Sequence, residues 1–196
     1  MPTRREASAK DEVPVRGRPT LMSGAHTEAA DALQAAASEG LPFDEICPAC
    51  FEPPIAPHLA AGEIGQQISV GQLEEAYARI CERKADCLVV EGAGGWMVPL
   101  NDEETLADFA LTIDLPIILV VGIRLGCINH SLLTQANILS RGGKLAGWVA
   151  NCIDPSVGNA PDQIDTLRDL LQAPLLQTFS WQAGAPLVWE GSPPRP

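Results

Sequence analysis

Lys10, Lys84 and Lys144 are the only lysines in 196 residues, and basic residues of both kinds number 13 against 25 acidic ones. At a formal charge of -12 the surface repels phosphate backbones, which argues against a general nucleic-acid binder. A polyanionic substrate would need a local cluster of N–H dipoles or a metal ion. Long apolar runs are missing too. The longest lie near Ile117–Val121, far short of the roughly 20 residues of a spanning helix, so no membrane protein is expected. No apolar stretch follows the arginines at the start, as a secretory signal requires. Cys47, Cys50, Cys81, Cys87, Cys127 and Cys152 lack the spacing of a small secreted domain, so a disulfide framework is not expected and the chain reads as cytoplasmic. Cys47-Pro-Ala-Cys50 is either half a zinc site, a redox pair, or two ordinary thiols in a loop. Zinc takes four ligands, yet no second close cysteine pair exists, and His26, His58 and His130 are scattered.

What is present suits one globular domain. Hydrophobic residues make up 46% and charged residues 19%, a composition that buries a core rather than staying disordered. The distribution is uneven. Residues 1–18 hold five basic residues (Arg4, Arg5, Lys10, Arg16, Arg18) and three acidic ones (Glu6, Asp11, Glu12) without apolar periodicity. Beyond them, eight basic residues face 22 acidic ones, a net -14. Residues 1–17 therefore read as an atypical basic segment, 18–190 as the domain, and 191–196 as a Pro-rich tail.

Between the ends, helical and extended patterns alternate. Residues 25–38 read as an Ala-rich helix ended by Gly40 and Pro42, and 47–62 as Pro-rich loop with a short helical patch. Val70, Leu73, Ala76, Tyr77 and Ile80 recur at helical spacing within 70–84. Cys87–Val90 reads as a short buried strand, and 103–111 as a helix capped by Asn101 or Asp102. A buried strand over Ile117–Val121 precedes a helix over 128–140 that Gly142-Gly143 stops. A strand over 145–150, a helix over 161–171 and a strand over 175–179 complete the series. Short apolar strands separated by helices imply an α/β fold, with βαβ units and a parallel sheet covered on both faces. Such sheets bind ligands at the carboxyl ends of their strands.

The residues at those ends carry the chemistry. Glu91-Gly92-Ala93-Gly94-Gly95-Trp96 follows the first of these strands. A carboxylate beside three glycines suits a Mg2+-nucleotide site, where the acid holds metal and bare backbone approaches phosphate; the other reading is a Gly-rich turn with a capping acid. Gly122 to His130 opens a helix, whose free N–H groups would receive a carboxylate or phosphate; alternatively it is a plain βα-loop capped at Asn129. His130 reads as a structural hydrogen-bonder rather than a catalyst. The Asn151 amide suits a base edge that both donates and accepts, or simply a turn before Pro155.

VVEGAGGWMVPL (89–100), PIILVVGIRLGCINHSLLTQ (116–135), LAGWVAN (145–151) and APLL (173–176) together resemble the dethiobiotin synthetase family. The likeness extends back through Glu52–His58 and, more weakly, through Ser23-Gly24 and Asp31–Leu33, covering about 18–187. It implies a P-loop NTPase-like α/β fold acting as a homodimer. The family's enzymes carboxylate 7,8-diaminononanoate with CO2, phosphorylate the carbamate with MgATP, and close the ureido ring of dethiobiotin in biotin biosynthesis. By resemblance, Asp31 and Glu91 hold Mg2+ and the backbone of Glu91, Gly92, Ala93 and Gly94 touches phosphate. Asn151 and Cys152 face adenine, and Ser180, Trp181 and Gln182 line the base pocket. Ser23 lies by the diamine, and Leu125, Gly126, Cys127, Ile128 and Asn129 receive its carboxylate across the dimer interface.

Several positions depart from the family pattern. A P-loop needs G-x-x-x-x-G-K-[ST], because its backbone cradles phosphates while Lys neutralises them and the hydroxyl binds Mg2+. None of the three lysines sits in such a context; Gly143-Lys144-Leu145 comes nearest. Only 17 residues precede Arg18, whereas a βαβ crossover takes about 30, so the first βα unit is expected to be missing. Arg18 stands where the family's catalytic lysine belongs, in a segment one residue longer than K-P-V-x-S-G, and its fork is a different cation from a lysine point charge. Ser180 replaces a usual proline, Leu187 a usual acid, and beyond Pro186 the family ending is gone. These departures suggest a truncated or frame-disturbed synthetase, which is the reading preferred. The alternative is a degenerate homologue without ATPase activity, serving as a dimerising or ligand-binding module. P-loop partitioning ATPases and cobyric-acid-type amidotransferases share the fold, but LGCINH is not among their signatures.

Overall fold

In a computed structural model of the chain, the described residues are 20–23, 34, 41–51, 55–83 and 88–181. The chain divides into two compact units, Met1–Phe109 and Ala110–Pro196.

In the first unit, β1 (Thr20–Ser23) lies between β2 (Ala49–Phe51) and β3 (Glu91–Gly92), and both pairings are parallel. The helices are α1 (Phe43–Ile46), α2 (Pro57–Glu63), α3 (Val70–Cys81) and α4 (Leu106–Thr112), which begins in this unit. Ser69 starts α3 through a capping box: its hydroxyl accepts from the Gln72 N–H at 3.2 Å, and the Gln72 side chain accepts from the Ser69 N–H at 3.1 Å. Such reciprocal caps satisfy two end donors at once. Val70, Leu73, Ala76 and Ile80 form the buried stripe of α3, as their spacing predicts.

Asn101 joins three segments of this unit. Its Oδ1 accepts from the Glu103 and Glu104 N–H groups, each at 2.9 Å, and its Nδ2 donates to the Ile68 carbonyl at 2.8 Å and to Glu104 Oε2 at 2.7 Å. The same Glu104 oxygen accepts from the Val70 N–H at 3.0 Å. Asn101→Ala is expected to lower the unfolding free energy by about 1–3 kcal/mol, read as a lower urea midpoint, because it strands donors and acceptors that are partly buried. An unchanged midpoint would show that the turn stands without the amide.

In the second unit, β4 (Ile117–Gly122), β5 (Leu145–Asn151) and β6 (Leu175–Phe179) form a parallel sheet in that order. The connections carry α5 (Cys127–Ser140) and α6 (Ala160–Leu170). Gly142, at φ 81, ends α5 with bonds from the Gly142 N–H to the Leu139 carbonyl and from the Gly143 N–H to the Ile138 carbonyl. That is the stop predicted at Gly142-Gly143. The core gathers Val121, Ile123, Cys127, Trp148, Ala150, Ile164, Leu167 and Leu171, with Trp148 and Leu167 fully enclosed. No helix among the described residues is long and apolar enough to cross a membrane.

The parallel sheets flanked by helices agree with the expected fold class, and four local expectations are corrected. Residues 88–90 are not a strand; β3 is confined to Glu91–Gly92, because its neighbour β1 begins at Thr20, directly opposite Glu91. The stretch read as loop over 47–62 contains β2. The helix expected over 103–111 begins at Leu106, and its start is held by Asp108, whose carboxylate accepts from the Thr105 N–H at 2.7 Å and hydroxyl at 2.6 Å; Asn101 caps the preceding turn instead. Finally, β4 is half-buried rather than covered on both faces: Val121 is buried, but Ile118 and Val120 on the opposite face are exposed. The helix expected over 25–38 lies outside the described residues, apart from Gln34, which is helical.

Candidate functional site

Parallel pairing brings strand carboxyl ends together at one end of each sheet. In the first unit these are Ser23, Phe51 and Gly92. Ser23 pairs with Phe51 and lies two residues past Leu21, the partner of Gly92. Glu91, the first residue of the two-residue strand β3, is exposed. Gly92 is packed so tightly that a Cβ there would stand 2.0 Å from Leu106 Cδ2. Gly94 and Gly95 take φ of 86° and 99°, a region that side chains rarely enter. The backbone after Glu91 therefore turns sharply with nothing but hydrogen on three of its four following α-carbons.

In the second unit the strand ends are Gly122, Asn151 and Phe179. They are stitched by two further bonds, from the Ile123 N–H to the Asn151 carbonyl at 2.8 Å and from the Cys152 N–H to the Phe179 carbonyl at 2.9 Å. Asn151 and Cys152 are half-buried, and burial pushes the Cys152 thiol above its ordinary range. Ser180 and Trp181 follow Phe179 and are exposed. These four residues are thus brought to one end of one sheet.

The turn into α5 is the most shaped element of this unit. Gly126 is the N-cap, at φ 92 and ψ -9, so the cap expected at Asn129 is corrected: Asn129 lies inside the helix. As in any α-helix, the first N–H groups here have no partner within the helix itself. The Cys127 N–H donates to the Arg124 carbonyl at 3.0 Å, whereas those of Ile128 and Asn129 have no backbone acceptor among the described residues. Leu125 is 94% exposed beside them. Of the five residues expected to receive a carboxylate, Cys127 turns its side chain inward. It is buried, and its Sγ donates to Gln163 Oε1 at 3.0 Å. Gln163 Nε2 donates in turn to Asn159 Oδ1 at 2.8 Å.

Gln163 and Asn159 were not among the expected site residues. Asn159 precedes the helix expected over 161–171, and only the folded chain shows Gln163 to be buried. Arg18, Asp31 and Gln182 lie outside the described residues, and Ser23 is described through its backbone alone. Cys47 is buried and Cys50 lies in β2, both as thiols. Among the described residues, no group of three or more His, Cys, Asp or Glu could hold a metal ion.

Residues 19–184 match the family described as AAA domain. The chain is 48% identical over 145 residues to the ATP-dependent dethiobiotin synthetase BioD of Pseudomonas paraeruginosa, covering 74% of this chain and 64% of the relative. The protein of the same name from Pseudomonas aeruginosa PAO1 is 48% identical over 139 residues, 71% of this chain and 61% of its own length. That of Aromatoleum aromaticum is 45% identical over 158 residues, 81% of this chain and 70% of the relative. The chain thus spans just under two thirds of the Pseudomonas relatives, at 64% and 61% of their lengths. With matches of this extent, the chain belongs to the AAA domain family and, within it, to the ATP-dependent dethiobiotin synthetases.

Proposed function

We propose that the chain serves dethiobiotin synthesis, binding 7,8-diaminononanoate and MgATP for carboxylation by CO2 and ureido ring closure in biotin biosynthesis. One observation carries this reading: a left-handed Gly126 opens α5, and the Ile128 and Asn129 N–H groups in its first turn have no backbone acceptor among the described residues. Two N–H groups without backbone partners at the positive end of a helix dipole suit the diamine's carboxylate. The exposed Leu125 in the turn before α5 and the exposed Leu133 on α5 favour a homodimer, in which the carboxylate of a diamine bound to one copy reaches the turn of the other.

On the nucleotide side, Glu91 offers one exposed carboxylate, and the turn through Gly95 offers close backbone approach. Mg2+ uses one or two protein carboxylates and completes its shell with phosphate oxygens and water. The Glu91 carboxylate suits such a shell, and by the family resemblance Asp31 would be the second ligand. Bound there, Mg2+ would neutralise phosphate charge. Asn151 would pair with the adenine edge and Trp181 would cover the base.

Calorimetric titration tests the carboxylate-binding part of this reading. 7,8-Diaminononanoate is expected to bind at least about tenfold more tightly than the same diamine without its carboxylate, since charge-assisted hydrogen bonds contribute about 1.5–3 kcal/mol. Gly126→Val is expected to abolish that difference, because a β-branched residue does not tolerate φ near 90°. Equal affinity for the two diamines in the unsubstituted chain would overturn the assignment.

A further inference from the structure

We infer that Gln163 is a positioning residue for the α5 turn, linking it to the loop that leaves Asn151 and Cys152. The inference rests on the carboxylate-receiving role proposed for that turn. Gln163 is one of few buried polar side chains among the described residues, at 8% exposure. An uncharged amide in a core persists at little cost only when both its ends are bonded. Here both are. Its oxygen accepts from Cys127 Sγ at 3.0 Å and its nitrogen donates to Asn159 Oδ1 at 2.8 Å.

Those two partners occupy informative places. Cys127 is the first residue of α5, with its N–H tied back to the Arg124 carbonyl at 3.0 Å. Its side chain is therefore an anchor beneath Ile128 and Asn129. Asn159 is the N-cap position of α6 and the last residue of the loop that starts at Cys152. One amide thus holds the starts of two helices in mutual register. Removing it frees the Cys127 anchor, and the first turn of α5, with its Ile128 and Asn129 N–H groups, then loses a fixed position. Nothing in Gln163 touches a ligand; it acts through Cys127.

The arrangement also separates this role from general core packing. Gln135, the other buried glutamine, lies on α5 and accepts from the Gln172 N–H at 2.7 Å. That bond ties the middle of the helix to the start of the β6 segment, far from the turn. Loss of Gln135 removes a core bond of comparable kind without touching the anchor.

The test uses the full chain with Gln163→Met, Gln163→Glu and Gln135→Met. Gln163→Met keeps the length of the side chain without its polar atoms. It is expected to weaken 7,8-diaminononanoate binding about tenfold while leaving the carboxylate-free diamine within about twofold. Gln163→Glu keeps an acceptor for Cys127 and, once the Asn159 amide turns over, a second bond; it is expected to bind within about threefold of the unsubstituted chain. Gln135→Met is expected to lower thermal stability as much as Gln163→Met but to leave the preference for the carboxylated diamine intact. Equal loss of both diamines in Gln163→Met, or an equal loss of preference in Gln135→Met, would overturn the inference. A ligand-free measurement separates it from the functional reading. In 15N-resolved spectra the Ile128 and Asn129 amide signals should move in Gln163→Met and return in Gln163→Glu. If the unsubstituted chain binds no diamine, the functional reading falls, and unmoved amide signals would then overturn the positioning role as well.

Discussion

Supplied with 7,8-diaminononanoate, CO2 and MgATP, the 196-residue chain is expected to form dethiobiotin at least about a thousandfold more slowly than its Pseudomonas relatives. Phosphoryl transfer is catalysed by positioning and by neutralising charge on the transferred group, and a single well-placed cation is worth about 10^3–10^5 in rate. No lysine of this chain has glycine before it and a hydroxyl residue after it. Lys144, which comes nearest in sequence, makes an exposed ion pair with Asp114 at 2.6 Å. Arg18 could bring charge, but its planar fork meets phosphate in a different geometry from a lysine ammonium. Dethiobiotin measured by mass spectrometry, with ADP release followed in parallel, checks the rate. Turnover within tenfold of a relative would show that these 196 residues hold a complete phosphate site by another route.

Trp148→Ala should lower the stability of the second unit by about 3–5 kcal/mol, the usual cost of emptying a large aromatic site. Trp148 is fully enclosed in the core cluster that α5 and α6 share with β4 and β5. Trp148→Phe separates two contributions. Among the described residues the buried indole Nε1 has no hydrogen-bond partner, and a buried unsatisfied donor costs about 1–3 kcal/mol. Removing it offsets much of the lost volume, so Trp148→Phe should cost less than about 1.5 kcal/mol. Urea unfolding followed by far-ultraviolet circular dichroism measures both. A Phe variant as unstable as the Ala variant would mean that the indole nitrogen is not the liability its surroundings imply.

The second unit was nearly all readable from sequence, because its strands are continuous apolar runs bounded by glycine or polar residues. Leu175–Phe179 matches its expected bounds, and 117–121 and 145–150 each extend by one residue. The first unit was less legible. Ala49–Phe51 is a three-residue strand inside a proline-rich stretch, and its extended state comes from pairing with β1 rather than from local preference. Leu88–Val90 carries the apolar signal of a strand, yet pairing begins only at Glu91. At the candidate site, glycine spacing identified the turn before α5 and the turn after Glu91. The inward rotation of Cys127 was hidden, because which face of a first helical turn is buried depends on what packs beneath it. Gln163 was hidden for the same reason, since its partners stand 36 and four residues away.

The strand pairings of the two units also differ in how far along the chain they reach. In the second unit each strand pairs with one about 30 residues away, one βα step apart, so successive steps close short loops in turn. In the first unit β1 must also meet β3, joining Thr20 to Glu91 across about 70 residues. Chain-closure entropy grows only with the logarithm of loop length, so the longer span adds roughly 0.8 kcal/mol to the equilibrium cost. Its larger effect is on rate, because distant segments must search for one another before any pairing rewards the search. The long reach of β1 thus delays assembly of its sheet far more than it weakens the finished one.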